Sequence, residues 1–470
     1  MLFNGVPLFD RRVSRNFCTV CKTQNNQEKT YRRFLFASIF TGILLSWALS
    51  GIFWLFPVWA SPPSGSINSN IPTLTLDQAI RMALVHNPGL AEEQARVALD
   101  QARSIEVGEL QDPMLVVGEQ YFPISFNMGA SVLTMTTVGV RQGFPSWGKR
   151  TLLRKSAVTE EKAARWNLYD KKALLVRNIR FAWVDLYQGR QTEEILQSTV
   201  FLWEKAFRAA LVRYRQGIGG ESDVLLAQYQ KDVIQDALER VRIREVKSLY
   251  RLMELMHVNR PFRISSGEPH FPDPLPESVL LERIDNHPAL ESRNSKDNAQ
   301  KLLVQSAEKD KIPAVSVEGD YSYFMGPNLI TSTPNLFSVL LTFNLPGRPG
   351  ERQDQRVAEE EHKLESLEAE RETKRQRLIE EIRDSEGTYH HLLRRKVTLE
   401  HILIPEAKRN VSAALAAYAT GTLEMGRVLS AMENVEDVKL RALSVRMDLL
   451  KTRAELSYLS GNLQGDSNEP

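Results

Sequence analysis

Residues 148–217 read GKRTLLRKSAVTEEKAARWNLYDKKALLVRNIRFAWVDLYQGRQTEEILQSTVFLWEKAFRAALVRYRQG, and this stretch decides the fold. It contains no proline, and apolar residues recur at steps of 7, 4, 3 and 4 from Leu168 to Leu186. This spacing predicts a single helix over residues 148–214, which at 1.5 Å per residue reaches roughly 100 Å. Because so long a helix exposes its apolar seam when alone, it needs a coiled-coil-like partner.

A second copy of this run occupies residues 351–418 and is broken only at Pro405. At offsets of 200 to 204 residues, Asn87-Pro88 pairs with His287-Pro288, Asp112-Pro113 with Ile312-Pro313, and Tyr214-x-x-Gly217 with Tyr418-x-x-Gly421. At each Tyr-x-x-Gly we expect the chain to reverse into a descending helix, over residues 221–257 and 423–459. Such ordered self-similarity predicts a duplicated structural unit.

Each unit is also predicted to open with two shorter helices. Thr75 is a typical N-cap residue before the apolar positions of residues 76–84, and a longer helix of residues 89–110 follows. The second unit repeats the pattern over residues 276–286 and 289–309. Both longer helices stop ahead of a proline, which disfavours helical geometry in the residue before it.

Two strands follow in each unit. Residues 315–323 alternate apolar or aromatic with polar side chains, and the returning stretch of residues 337–345 places Phe337 to Leu345 on one face at every second position. Residues 114–122 and 133–144 form the less regular pair of the first unit. An alternation of period two predicts strands with one apolar and one polar face.

The N-terminus has the pattern of an export signal. Basic residues dominate the first 33 positions, an uncharged apolar run extends from Phe34 to Trp59, and Val58-Trp59-Ala60 suits a signal peptidase. We expect cleavage after Ala60, although the apolar run is long enough to span a bilayer if it is retained. The predicted organisation is a signal peptide (1–60), a linker (61–73), a first repeat (74–258), an inter-repeat linker (259–275), a second repeat (276–461) and a C-terminal tail (462–470).

Composition narrows the function further. The 470 residues include 42% hydrophobic and 25% charged residues with a formal net charge of +2, so neither a disordered chain nor a polybasic nucleic-acid binder is indicated. Cys18 and Cys21 are the only cysteines, which excludes a disulfide scaffold. Gly-x-Ser-x-Gly, phosphate-loop and His-Glu-x-x-His motifs are absent, so we predict no enzyme activity, no cofactor and no metal ligand set.

Strands and helices together favour a shared channel. Four strands cannot close a transmembrane barrel, and lipid tolerates no open sheet edge. If the strands enter a membrane, several chains must therefore pool them, and the same assembly would supply partners for the long helices.

The residues also resemble the TolC-type outer-membrane efflux family. The similarity lies in Leu74-Thr75-Leu76-Asp77-Gln78-Ala79-Ile80, in the segment from Val140 to Pro145 followed by Gly148-Lys149-Arg150, and in the two Tyr-x-x-Gly tips. Pro405-Glu406-Ala407 is most similar to the heavy-metal efflux branch, with a drug or organic-solvent exporter as the alternative. The resemblance implies an α+β membrane protein: a homotrimer with four strands per chain, a 12-stranded transmembrane β-barrel and a periplasmic α-helical coiled-coil barrel. It also implies a periplasmic adaptor and an inner-membrane pump as partners, and a location in the outer membrane.

Candidate functional residues lie at the two tips. The resemblance implies adaptor docking at Tyr214, Gly217, Gly220, Tyr418 and Gly421. Family members often carry acidic rings near the second tip, whereas this chain is basic there, so our hypothesis is a periplasmic gate of basic residues. They would pair with acids such as Glu221, Asp223, Glu424 or Glu433; the gate candidates are Arg208, Arg213, Arg215, Lys408 and Arg409.

Two motifs suggest metal handling but have simpler interpretations. His390-His391 are adjacent on a helix and face about 100° apart, which favours a solvated surface over a joint metal site. Met425 and Met432 share a helix face, as residues of a packed seam do. Alternative functions for the whole chain are a periplasmic adaptor or a membrane-anchored coiled-coil protein, although a single-hairpin adaptor does not account for two hairpins and duplicated strand pairs.

Overall fold

The computed structural model describes residues 72–126, 131, 133–324, 335–348 and 350–461. The predicted signal peptide with its Cys18 and Cys21, the cleavage position after Ala60 and the tail at 462–470 lie outside the described residues. Among those described, no helix combines the length and the apolarity needed to cross a bilayer.

Helices and strands follow each other in the same order in both halves of the chain. The first half contains β1 (Thr73–Leu74), α1 (Leu76–His86), α2 (Pro88–Glu106), β2 (Met114–Gln120), β3 (Met135–Phe144), α3 (Lys149–Arg215) and α4 (Glu221–Met256). The second half contains β4 (Arg263–Ile264), α5 (Glu277–Glu282), α6 (Pro288–Glu308), β5 (Ala314–Phe324), β6 (Leu336–Asn344), α7 (Gln353–Thr398), α8 (Ile404–Ala419) and α9 (Met425–Leu459).

The proline-free run forms one unbroken helix, α3, of 67 residues, which confirms the length predicted from its sequence. It begins after Gly148, whose φ of +82° is a left-handed conformation that glycine adopts without strain. No side chain caps this end, so the glycine conformation sets where the chain leaves the sheet and enters the helix.

The second long arm differs from the prediction at Pro405. A π turn over Leu399–Leu403 joins α7 to α8, and the helix continues through it instead of breaking. Proline lacks an N–H and its ring clashes with the carbonyl four residues earlier, here that of His401. The wider π turn accommodates this clash, because it displaces the carbonyls that precede Pro405.

The four longer strands form one antiparallel sheet in the order β2-β3-β5-β6. The two halves of the chain meet at β3 and β5, where Met135 pairs with Phe324 and Phe144 with Val315. On the outer face of β6, Phe337 and Val339 are 73% and 63% exposed. The register of β5 against β6 confirms the predicted alternation of apolar and polar side chains, with Leu340 as an exception on the polar face.

A small parallel pair of strands was not predicted. Thr73 pairs with Arg263 and Leu74 with Ile264, so the segments interpreted as two linkers are hydrogen-bonded to each other. Beside this pair, Thr75 and Gln78 form a capping box at the start of α1, which confirms Thr75 as the N-cap residue.

Apolar clusters lie along the helices and not in one central core. Near the tips, helices from both hairpins share a cluster that contains Trp203 of α3, Ala227 of α4, Tyr418 of α8 and Val428 of α9. Trp203 and Val428 are fully buried. Burying a side chain of this kind stabilises the fold by about 1.5–3 kcal/mol, so the two hairpins are held side by side by their seams.

Candidate functional site

Both hairpin tips are built on the same helix-ending motif. In the first, Gly217 N–H donates to the Tyr214 carbonyl at 2.9 Å and Ile218 N–H to the Arg213 carbonyl at 3.0 Å. The second repeats these bonds, from Gly421 to Tyr418 at 3.1 Å and from Thr422 to Ala417 at 3.0 Å. This is the Schellman arrangement, in which a left-handed residue follows the helix and satisfies its last carbonyls.

Glycine is required in that left-handed position. Gly217 and Gly421 have φ values of +73° and +78°, which residues with a Cβ adopt only with strain. Gly220 has an ordinary extended conformation and precedes α4 without a side-chain cap. The Tyr-x-x-Gly pattern therefore marks the end of each ascending helix, with tyrosine as the penultimate helical residue.

The two tyrosines of this pattern have different surroundings. Tyr214 is 45% exposed, whereas Tyr418 is 7% exposed and lies in the cluster shared by the two hairpins. Burial raises the pKa of the Tyr418 hydroxyl. Its hydroxyl oxygen has no hydrogen-bond partner among the described residues. Of the predicted docking residues, Tyr214 is thus available at the surface and Tyr418 is a packing residue.

Arg213 links the two tips. Its Nη1 donates to the Tyr418 carbonyl at 2.8 Å, and its guanidinium carbon lies 4.6 Å from the centre of the Tyr418 ring. The same carbonyl accepts from Gly421, so the arginine adds a second bond to the group that closes the second tip. A guanidinium over an aromatic face is attracted to it, and partial burial strengthens the attraction.

The other basic residues predicted for the gate differ in their contacts. Arg208 donates to Glu204 at 3.0 Å one turn before it on α3, and Lys231 of α4 contacts the same carboxylate at 2.8 Å. Hydrogen bonds from Lys231 and then from Arg208 lower the pKa of Glu204. Arg215, Lys408 and Arg409 are exposed and have no salt bridge within the part of the chain that the structure describes.

None of the predicted acidic partners forms a salt bridge with these cations among the described residues. Glu221 and Asp223 occupy the first turn of α4, Glu424 is the N-cap residue of α9, and Glu433 is exposed farther along α9. Within one chain, the structure brings Arg208 to Glu204 and Arg213 to a main-chain carbonyl instead. The assignment of the five basic residues to a gate stays a prediction.

A half-buried acid on α9 was missed from the sequence. Glu436 of α9 lies in the seam that Leu429, Met432 and Leu443 continue at steps of 3, 4 and 7. Burial, with a smaller contribution from Glu433, raises the pKa of Glu436 to about 6. An acid at a seam position was the available signal, since such positions are otherwise apolar.

A polar network occupies the inner face of the sheet. Thr137 and Ser322 are hydrogen-bonded at 2.9 Å across β3 and β5, and both are 3% exposed. Four positions along β3, Arg141 donates to Glu318. Asp320 lies between these pairs opposite Gly139. The polar residues of the predicted strand face therefore contact one another.

The two sequence motifs that suggested metal handling have ordinary structural surroundings. His390 contacts Glu386, and His391 contacts Arg394, and all four residues lie in α7. Met425 and Met432 are buried in the cluster shared by the hairpins. Among the described residues, no group of three or more His, Cys, Asp or Glu could hold a metal ion.

Comparisons with known proteins agree with this geometry. The sequence model of the family described as outer membrane efflux protein matches residues 280–462, which confirms the family resemblance for the second half of the chain. No curated protein matches the chain.

Solved structures extend the likeness to both halves. The outer-membrane channel OprN has a TM-score of 0.71 at 17% identity, over 82% of this chain and 89% of its own. VceC, an outer membrane protein of Vibrio cholerae, has a TM-score of 0.69 at 17% identity, over 82% of this chain and 96% of its own. CusC, whose structures were described in relation to folding and transmembrane channel formation, has a TM-score of 0.70 at 14% identity, over 87% of this chain and 98% of its own. At these identities, the comparisons show a shared fold.

Proposed function

We propose that this chain, which shares the fold of outer-membrane channels and matches their family over residues 280–462, is the outer-membrane component of a tripartite efflux system. It is a passive exit duct for substrates that an inner-membrane pump and a periplasmic adaptor deliver. The observation that carries the proposal is the joining of two long helical hairpins to one four-stranded sheet with an apolar outer face.

The sheet requires other chains. Among the described strands, the edge strands β2 and β6 each pair with one neighbour only. An open edge in lipid leaves backbone groups unsatisfied at several kcal/mol each. Three copies would bring twelve strands, enough to close a barrel. Exposed apolar side chains such as Leu341 and Phe343 support lipid contact by the outer face. Trp147 is 90% exposed between sheet and helix, where an interfacial tryptophan is expected.

The helices also present an uncovered seam. On α4, five apolar residues at helical steps are 49% to 63% exposed: Leu225, Tyr229, Ile243, Val246 and Tyr250. A second copy would cover this stripe in the way that α3 and α9 cover the seams within one chain. The stripe supports a helical barrel built by the same three copies in the periplasm.

The tips are the proposed sites of docking and closure. Tyr214, Gly217, Gly220, Tyr418 and Gly421 shape the two reversals that an adaptor would meet. The tie from Arg213 to Tyr418 holds neighbouring hairpins together, and its release would let them separate. Arg208, Arg215, Lys408 and Arg409 would line the same end of the duct with positive charge.

The proposal includes export through the predicted signal peptide of residues 1–60 and two structural repeats, 74–258 and 276–461. The duct itself performs no chemistry, so the energy for transport comes from the pump. The alternatives, a periplasmic adaptor or an anchored coiled-coil protein, are not favoured, because neither accounts for a sheet with an apolar outer face shared by two repeats.

The test is membrane fractionation of the expressed full chain, followed by electrophoresis with and without heating and by lysine crosslinking. We expect a heat-modifiable trimer in the outer membrane. A monomer in the inner membrane or a soluble periplasmic protein would overturn the proposal and favour one of the two alternatives.

A further inference from the structure

The two central strands of the sheet carry a row of charged and polar groups on its inner face. In register, Thr137 lies opposite Ser322, Gly139 opposite Asp320, and Arg141 opposite Glu318. The residues between them, such as Val138 and Tyr321, are on the outer face and are 46% and 50% exposed. If the outer face meets lipid, this row faces the lumen of the barrel.

Charges in the row do not balance. Glu318 and Asp320 are two carboxylates at neighbouring inner positions, 6% and 8% exposed, and Arg141 is the cation opposite them. Arg141 donates through Nε to Glu318 Oε2. Asp320 Oδ1 has no hydrogen-bond partner among the described residues. Each chain therefore adds one uncompensated negative charge to this level of the sheet when both acids are ionised.

Gly139 makes room for the Asp320 carboxylate. A Cβ on Gly139 would lie 1.8 Å from Asp320 Oδ1 and 2.8 Å from the Gly319 carbonyl oxygen, so any side chain there would displace the acid. The carboxylate thus occupies a notch in β3 that the absence of a side chain creates. The Asp320 carboxylate therefore lies against the wall that β3 forms.

We propose that Asp320, supported by Glu318, is a cation-binding position in the lumen and makes the barrel selective for cations, including protonated amines. The inference rests on the proposed function, because it requires the inner face to line a channel. Rings of acidic side chains select cations in channels by electrostatic attraction. With two carboxylates per chain and no third His, Cys, Asp or Glu grouped with them among the described residues, a hydrated cation is attracted without being held.

The Asp320 position favours cations, whereas the basic tips favour anions. The tip residues Arg213, Arg215 and Arg409 are basic, and an exposed basic ring would favour anions at the periplasmic end. Selectivity for cations in the open channel would therefore come from the sheet, and it would be most evident after the tips separate.

The experiment measures the reversal potential of purified protein in planar bilayers under a KCl gradient, in the wild type and in the Arg213→Ala background. We expect a preference for K⁺ over Cl⁻. Asp320→Asn should lower the permeability ratio by about twofold or more, because it removes one charge per chain from an acidic ring. Asp320→Glu should retain the preference. Arg141→Gln acts on the same cluster in the opposite direction and should raise the ratio.

Glu119→Gln is the matched control, since Glu119 is an exposed acid of β2 on the outer face, where it accepts from Thr136. It should leave the ratio unchanged. A wild-type preference for Cl⁻, or ratios unaffected by both Asp320→Asn and Arg141→Gln, would overturn the inference while leaving a conducting channel. Absence of conductance from every variant would instead overturn the proposed function.

Discussion

The Nη1 atom of Arg213 lies 2.8 Å from the main-chain oxygen of Tyr418, 205 residues away in the sequence. This bond joins the last turn of the first ascending helix to the last turn of the second. A charged donor to a carbonyl contributes about 1.5–3 kcal/mol, and stacking on the tyrosine ring adds to it. The relative position of the two tips therefore depends strongly on one side chain.

Replacing Arg213 by alanine should open the periplasmic end. Loss of about 1.5 kcal/mol or more of closed-state stabilisation corresponds to about a tenfold shift in the open-to-closed ratio. The measurement is resting conductance in planar bilayers. Arg251→Ala is the matched control, because Arg251 is an exposed residue at the end of α4 away from the tips and forms no salt bridge among the described residues, and it should leave conductance at the wild-type value. Equal conductance in wild type and Arg213→Ala would contradict the tie.

Alanine at Gly217 or Gly421 should destabilise the corresponding tip. Both glycines have positive φ, where a Cβ costs about 1 kcal/mol or more. Thermal unfolding followed by circular dichroism, together with adaptor pull-down, should show a lower midpoint and weaker binding. Gly387→Ala is the control, since Gly387 lies within α7 and a Cβ there meets nothing within 4 Å. It should raise the midpoint, because alanine favours helix by about 1 kcal/mol. The same shift at all three positions would argue against strain at the tips.

Glu436 should make stability depend on pH. Its pKa is about 6 in the folded chain, above the 4.5 of an unperturbed glutamate, so the folded state binds the proton more tightly. The resulting stabilisation is present below pH 4.5 and is lost as pH rises through 6. It amounts to about 1 kcal/mol at most, because solvent still reaches the carboxyl and screens its neighbours.

Glu436→Gln should remove this pH dependence and raise stability at pH 7, as measured by denaturant titration at several pH values. Four groups act on the Glu436 carboxyl and remain in the variant: Glu433, Trp203, Asp437 and Lys439. The exposed Glu424 offers a control, and Glu424→Gln should leave the wild-type profile in place. A profile in Glu436→Gln that still falls between pH 4.5 and 6 would assign the effect to another group.

Arginine should have different effects on assembly at two neighbouring positions of β6. Val339 is on the outer face and Ser338 on the inner face. Arginine at Val339 should impair assembly, because a cation on the lipid face near the bilayer midplane costs about 2–4 kcal/mol. Arginine at Ser338 should be tolerated, since that face is polar. The amount of heat-modifiable trimer in outer membranes distinguishes them, and equal yields would place the sheet outside lipid.

Local chemistry accounts for the features that could be predicted from the sequence. The absence of proline across residues 148–217 determines α3, left-handed glycines determine both tips, and alternation determines β5 and β6. These signals lie within a few residues of the structure they specify. The internal repeat also aligned β2 and β3, whose alternation is less regular, with β5 and β6 of the second unit.

Features that depend on distant segments were not predicted. β1 and β4 have two residues each, too few for a periodic signal, and their pairing depends on where the helices bring them. The bond between Arg213 and Tyr418 depends on how two hairpins pack. The Asp320 notch likewise required the register of β3 against β5, since neither Gly139 nor Asp320 is unusual within its own strand.

The π turn before Pro405 has a consequence for symmetry. The first arm is 67 residues of α-helix, whereas the second has segments of 46, 5 and 16 residues, the same total length with one wider turn. A π turn rotates and shortens the rest of its arm relative to an α-helix, so duplication at equal length does not give equivalent tips. A ring of three chains would carry six tips with pseudo-sixfold symmetry, alternating between two kinds. The stoichiometry of a bound partner, three or six copies per ring, would then report whether it distinguishes between them.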